Sequence, residues 1–466
     1  MLVTVPVRQD SVILKSENEG GEMIDRIKTK EYLDLIIKRK DFDEIEGGLY
    51  YSEKGTTRFA NSIIHQNMVV EEPYLWLRGV EKRKVAGVST KDFQKEGIEK
   101  ALVKLKENLK GIKPDKEFRG LPEPPKGMRI KTTREPEFIS PEERGKAVER
   151  IVGVCKKYNL QAFGVIHNTR ISLGVANSKG IFNYGMTGIN FVSVTAMGDS
   201  AAGYAVDIRK KFSEIDFKEL AEVACEKALL SKNPREIEPG RYTVLLEEPA
   251  VGEMLSFLAW LEFGAKRFRE KSSLLSKKIG KVITGRNITI YDDWAEGGMP
   301  GFAFDFEGYP KKQVVLIKNG IAKGVVFDSF YAQLLKKKNT GHSLPQPSPW
   351  GPLPGNLVIA KGKDKKENLI KEIEKGILVT RFWYVRVVDP DKTLITGMTR
   401  DGTFMIEKGK ITYPVKNMRF VVNIYETLSK VRKISSERKL YGEDIFFVLA
   451  PALLIDEFNF ASKTEY

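Results

Sequence analysis

The chain has 466 residues, 41% of them hydrophobic and 30% charged. That balance excludes intrinsic disorder, and at roughly 100 to 200 residues per domain it allows two or three domains with buried cores and no disulfide or metal staples. The net charge is +15, but lysine and glutamate alternate along the helical stretches and the basic runs 336–338 and 361–366 carry no interleaved aromatics, so the charge reads as a thermophile-like surface and not as a base-stacking one.

No apolar run approaches the roughly 20 residues of a membrane span. The N-terminus has no basic region followed by an apolar one, so it does not read as a secretory signal. Cytoplasm is the expected compartment. The two cysteines, Cys155 and Cys225, both sit in helical apolar patterns and read as core residues of a reducing environment.

Residues 1–22 read as an N-terminal extension. From Met23 a helix is predicted, with Ile27, Tyr32, Leu33, Leu35, Ile36 and Ile37 on its apolar face. Strand-like alternation follows to about residue 90, then a helix over 91–110 with Ile98, Leu102, Leu105 and Leu109 on one face. Together these predict an N-terminal α+β domain at 23–111. Five prolines in 111–139 mark a linker. Ser140, Pro141 and Glu143 then form a capping box for a helix to about Tyr158. Strands between Gln161 and Ile208, and a helix capped by Asp216, complete a central α+β domain at 112–238. His167 is expected at the end of one of these strands.

From 239 to 466 the chain alternates hairpins with one long helix, predicted at 249–271. Asn319-Gly320 and Lys408-Gly409 are hairpin turns. The stretch 343–357 is a proline-rich loop expected on the surface. Asp364 is the predicted cap of a short helix, and the apolar stretch 445–460 is expected to dock as a terminal strand or helix. The fold class is therefore α+β: two small α/β sandwich-like domains followed by a larger β-rich C-terminal domain with one long helix.

Five stretches in order resemble the TldD/PmbA family of zinc peptidases: TTRFANSIIHQN (56–67), ANSKGIFNY (176–184), FDFEGYPKKQVVLIKNGIAKGVVFDSFYA (304–332), NTGHS (339–343) and the block 378–420. The resemblance runs from about residue 30 to about 434. In TldD-type members a HExxxH motif on a C-terminal-domain helix supplies two zinc-binding imidazoles and a glutamate that activates water. Aligning Gly252 with the glycine before that motif places the first histidine at Ser256, the glutamate at Phe257 and the second histidine at Leu261.

The resemblance is therefore to the TldE/PmbA type, which lacks the motif, and no metal site and no bound cofactor are expected in this chain. The three histidines, His65, His167 and His342, are far apart in sequence. What the resemblance implies is a non-catalytic subunit that completes a peptide chamber with a zinc-bearing TldD-type paralogue. The alternative is a stand-alone homodimer that binds peptides or another ligand. His65, Asp305, Glu307, Tyr331 and His342 fall in the family motifs and are the implied substrate-binding residues. GDSAAG (198–203) is similar to the nucleophile loop of chymotrypsin-like enzymes, but no histidine has the context of a base for Ser200, and the stretch reads as a hairpin connection. A nucleic-acid partner ranks last, because no reading module is recognisable.

Overall fold

The computed structural model describes residues 23–127, 130, 135–198, 201–443 and 446–464. The extension at 1–22 and Ser200 lie outside the described residues. The first half opens with helix α1 (Arg26–Ile37), strands β1 (Glu44–Ala60), β2 (Ile63–Glu81) and β3 (Lys84–Thr90), and helix α2 (Lys95–Gly111). The same order then recurs: α3 (Pro141–Lys157), β4 (Gln161–Asn177), β5 (Phe182–Gly198), β6 (Ala201–Arg209) and α4 (Phe217–Leu230).

The six strands form one antiparallel sheet in the order β3-β2-β1-β4-β5-β6. Segments 23–111 and 112–238 thus each give three strands and two helices, and they join where β1 pairs with β4. The strand order is the same read outward from that seam in either direction, first, second and third strand of each segment.

Side-chain alternation sorts the sheet into two faces. Ile45, Leu49 and Leu77 pack under Leu33, Ile98 and Leu102 of α1 and α2. Ala162, Ile166 and Val194 pack under Ile151, Cys155 and Cys225 of α3 and α4. The two cysteine sulfurs lie 3.5 Å apart between these helices. The opposite face presents Trp76, Ile171, Leu173 and Val175 to Phe302, Phe304, Phe447 and Leu449 of the second half.

The predicted capping box is present: Ser140 accepts from the Glu143 amide, and the Glu143 carboxylate accepts from the Ser140 amide. The apolar face of α1 is narrower than predicted. Leu33 and Ile36 are fully buried, whereas Ile27 is 69% and Leu35 38% exposed, because they sit on the flank that α2 and the sheet do not cover. His167 is not at a strand end but within β4, paired across to Phe191.

The second half starts with β7 (Gly240–Leu246), which runs into α5 (Glu248–Glu262) and the short α6 (Ala265–Arg269). The predicted single helix is therefore broken at Phe263-Gly264, with Gly264 as the cap of α6. Strands β8 (Ile290–Asp292), β9 (Val314–Lys318) and β10 (Ile321–Ala322), helix α7 (Ser329–Leu334) and β11 (Asn356–Ile359) follow. Next come α8 (Lys366–Lys371), β12 (Lys375–Asp389), β13 (Leu394–Glu407), β14 (Lys410–Pro414), β15 (Met418–Asn423) and α9 (Ile424–Ser429). The chain ends on β16 (Val431–Glu443) and β17 (Phe446–Lys463).

Strands β7, β12, β13, β15 and β17 close on one another, because β17 pairs with both β15 and β7. Closure leaves these five strands without a free edge. Phe382, Phe420, Phe458 and Phe460 fill the core with Val244, Ile377, Ile395 and Met405. β8 and β11 extend the sheet toward the β9–β10 hairpin, whose Asn319-Gly320 turn has the positive φ angles the sequence predicts. The apolar stretch 445–460 is, from Phe446 on, the barrel strand β17.

Helix α8 is not capped by Asp364. Its N-cap is Lys365, while the Asp364 carbonyl accepts from the Ser436 amide. The proline-rich loop is only partly on the surface: residues 351–353 are packed inside, and Trp350 remains 42% exposed.

Candidate functional site

Strand β7 delivers the chain directly into α5. Pro249 sits in the first turn, where a missing amide costs no helical hydrogen bond. Glu247 precedes it, and its carboxylate is held between Lys227 and Lys366, the latter at 2.9 Å. The two ammonium groups hold that carboxyl well below its usual range despite burial.

One side of the helix, Val251, Met254, Leu255 and Leu258, enters the barrel core. The outer side carries Glu253, Ser256, Phe257 and Trp260, all half-buried, which fall on one helical face. Ser256 donates to the Glu253 carbonyl at 2.7 Å. Leu261 is 1% exposed. A hydroxyl, a phenyl and a buried leucine offer none of the imidazole, thiolate or carboxylate donors zinc requires, so these three positions do not fit the family's metal.

The histidines do not compensate. His65 is exposed at the β1–β2 hairpin. His167 bonds Thr56 Oγ1 at 3.0 Å, and burial, with Lys54, Arg58 and Arg144 nearby, pushes its pKa down to about 3. His342 is buried between Asp292 Oδ1 and Thr340 Oγ1, each at 2.9 Å. Among the described residues no three His, Cys, Asp or Glu side chains converge as a metal-binding group.

The family-motif residues Asp305, Glu307 and His342 lie in one buried region, and all are 2% exposed or less. Asp305 accepts from the amides of Glu307, Tyr309 and Ser343 at 3.0, 2.8 and 2.8 Å. Glu307 accepts from Arg78 of β2 at 2.9 Å and from the Ser329 hydroxyl at 2.6 Å. Arg78 also donates to Glu46 of β1 at 2.8 Å. This ion triad joins the six-stranded sheet to the barrel half.

Burial raises Asp305 well above its usual range, and it lifts Glu46 and Asp328 to about 7. A cavity of about 30 Å³ beside Phe302, Phe304, Lys311 and His342 has room for a water and not for a peptide. Tyr331, half-buried on α7, borders this region, while His65 is on a different part of the molecule.

A second constellation was not visible in the sequence, because it draws on five separate elements. Gly252 brings α5 so close to β16 that a Cβ there would lie 2.3 Å from Tyr441 Cβ. The next residue, Glu253, lies within the electrostatic reach of Arg381 and Arg386 of β12, and of the phenols of Tyr441 and of Tyr204 of β6. Arg381 stacks 4.0 Å over the Tyr204 ring and pairs with Asp401 of β13.

Burial holds the Glu253 carboxyl at about 7 and raises both phenols. Nearby, bulges in β12 turn the consecutive residues Trp383 and Tyr384 outward, at 42% and 60% exposure.

A helix-backed antiparallel sheet docked on a closed barrel defines a two-part α+β protein. Residues 239–462 match the family model described as the PmbA/TldA metallopeptidase C-terminal domain. The match includes β17, beyond the limit near residue 434 that the motifs suggested.

A metalloprotease TldD homolog of Haemophilus influenzae is 30% identical over 202 residues, 41% of this chain and 42% of that protein. Metalloprotease PmbA of Escherichia coli is 25% identical over 244 residues, 52% of this chain and 51% of that protein. The chain thus spans about half the length of the curated relatives it matches. The crystal structure of TldE from Thermococcus kodakarensis superposes with a TM-score of 0.81 at 21% identity, over 93% of this chain and 98% of that one. A Thermotoga maritima structure described as a putative modulator of a DNA gyrase gives 0.79 at 18% identity, over 93% of this chain and 100% of that one. The C-terminal half of the chain belongs to the TldD/PmbA family.

Proposed function

We propose that this chain is a non-catalytic, TldE/PmbA-type subunit that completes a peptide chamber with a zinc-bearing TldD-type partner. The observation that carries this reading is α5: its proline, its apolar stripe and its seat on the barrel are in place, and with Gly252 aligned to the glycine before the metal motif, Ser256, Phe257 and Leu261 would stand where its His, Glu and His fall. A sheet edge of the partner assembly would take up extended substrate by strand addition. Within this reading Tyr331 and His65 are the accessible members of the motif set, and Asp305, Glu307 and His342 act by holding the frame. Among the described residues no helix is long and apolar enough to cross a membrane, and a cytoplasmic site of action fits the two thiols.

The test is zinc content and casein cleavage, for the chain alone and with its TldD-type paralogue. The expected result is no stoichiometric zinc and no cleavage alone, with cleavage when the paralogue is added. Chelator-sensitive proteolysis by the purified chain alone would overturn the proposal. The homodimeric peptide-binding alternative predicts instead a self-associated species in size exclusion that the paralogue does not disrupt.

A further inference from the structure

We propose that Cys155 and Cys225 are a redox-modification site, which a peroxide converts to an intramolecular disulfide that staples α3 to α4. This goes beyond the peptide-handling reading and does not depend on it. The chain has two cysteines in 466 residues. They stand on different helices, 70 residues apart in sequence, yet their sulfurs are 3.5 Å from one another. A buried residue touches about 6–12 others, so a contact between the only two thiols would arise by chance about one time in fifty. Both are free thiols and both are fully buried.

The setting lets the bond form. Helices α3 and α4 lie against the same face of β4, β5 and β6. Cys225 is bracketed on α4 by Ala221, Ala224 and Ala228, all fully buried, and methyl groups resist a small shift of the helix less than long side chains do. Closing the gap to a disulfide bond of about 2 Å asks each sulfur to move by less than about 1 Å. Cys225 donates its S–H toward Cys155. That hydrogen bond favours the thiolate at Cys155 and holds its pKa below the ordinary value against the effect of burial. The thiolate is the form that attacks.

A peroxide is close to water in size and enters when the helix pair opens locally. The Cys155 sulfur attacks one peroxide oxygen. The O–O bond breaks, leaving a sulfenic acid on Cys155 and a hydroxide that takes the Cys225 proton. The Cys225 sulfur then attacks the sulfenic sulfur, the S–O bond breaks, and the second hydroxide recombines with the proton Cys155 had given up. Two thiols and one peroxide become one disulfide and two waters; the sulfurs lose two electrons and the O–O bond takes them.

The loop so closed holds β4, β5 and β6, the three strands between the opening and closing helices of the second segment. A cross-link across such a loop restricts the unfolded chain, and more so as the loop lengthens. The first segment has no cysteine, so the staple acts on one half of the six-stranded sheet.

The experiment exposes the folded, reduced full chain to excess hydrogen peroxide, alkylates it with iodoacetamide in denaturant, and reads intact mass and thermal unfolding by circular dichroism. The expected result is a mass lower by two hydrogens at the thiols, no alkylated cysteine, and a Tm raised by about 5 °C, with dithiothreitol reversing all three. Cys225→Ala should leave Cys155 as a sulfenic acid that dimedone traps, with no rise in Tm on oxidation.

Two thiols still open to alkylation after peroxide would overturn the proposal. So would a disulfide that forms only when the chain is first unfolded in urea, or one that joins two chains. A Tm that oxidation leaves unchanged or lowers, or that rises equally in Cys225→Ala, would overturn the staple.

Discussion

Arg78 lies with Glu46 and Glu307 in a junction from which water is excluded: its side chain is 4% exposed and theirs 0% and 1%. Replacing it by methionine keeps the volume but strands two carboxyls without a cation. Arg78→Met is expected to cost about 3–5 kcal/mol in urea unfolding at neutral pH, with partial recovery in mild acid, where Glu46, raised to about 7 by burial, is protonated. A cost under about 1 kcal/mol would mean the triad is not what joins the halves.

Glu262 gives a second residue-scale prediction. It accepts from the amides of Leu274 and Leu275 and from the Tyr425 hydroxyl, yet burial lifts it from its ordinary 4.5 to about 7. A carboxyl raised on folding contributes stability that is complete below the unfolded value and is lost as pH rises through the folded one. Stability should therefore decline between about pH 4.5 and 7, and Glu262→Gln should flatten that part of the profile; an unchanged slope would assign the titration elsewhere. Neither site was legible in the sequence. Arg78 and Glu307 are 229 residues apart, and nothing in local periodicity says which distant charge a buried carboxylate meets.

At the scale of elements, the legible features were those with local causes. The Ser140 box, the Pro249 start and the Asn319-Gly320 turn each follow from the chemistry of two to four adjacent residues, and each is present. The misreadings came where tertiary contacts decide. α1 lost two residues of its predicted apolar face, α5 was cut at Gly264, and Asp364 gave its backbone to β16 and not to a helix end.

Helix α4 crosses β6 so closely that a Cβ on Gly203 would lie 2.2 Å from the Ala224 carbonyl and 2.3 Å from the Ala228 amide. Backbone cannot yield as a side chain can. Gly203→Ala should destabilise by about 1–3 kcal/mol in chemical unfolding, while a change under about 0.5 kcal/mol would mean helix and strand are freer to separate than this. For α5, the pair Ser256→His, Leu261→His should not create a zinc site, because residue 261 is turned into the core. Isothermal titration with zinc should give no stoichiometric binding, and tight binding would require the helix to rotate.

At the scale of the molecule, the sequence showed two α+β segments and a β-rich one, but not that the first two share a sheet. Strands β1 and β4 are separated by two strands, two helices and a linker with no pairing signal of its own, and which strand edges meet is set by the whole. The same sheet presents Trp76, Ile171, Leu173 and Val175 to the barrel half, so neither half can be removed without exposing a large apolar surface. Expressed separately, segments 23–238 and 239–466 should aggregate or bind one another, and together they should co-elute in size exclusion. Two soluble monomers that ignore each other would contradict this packing.

The barrel closes on β17, the last of the described strands, which pairs with β7, β11, β15 and β16. During synthesis the six-stranded sheet can assemble as it leaves the ribosome, since all its strands precede residue 210. The barrel cannot. Strand β7 gains β12 on one edge, but it must wait some two hundred residues for β17, with its other edge open throughout. A ribosome that stops after β16 leaves four strands unpaired along one side, so truncated products should be insoluble while full-length chains are not. Strand β17 thereby acts as a completion check: only a chain that includes it can seal the hydrophobic core.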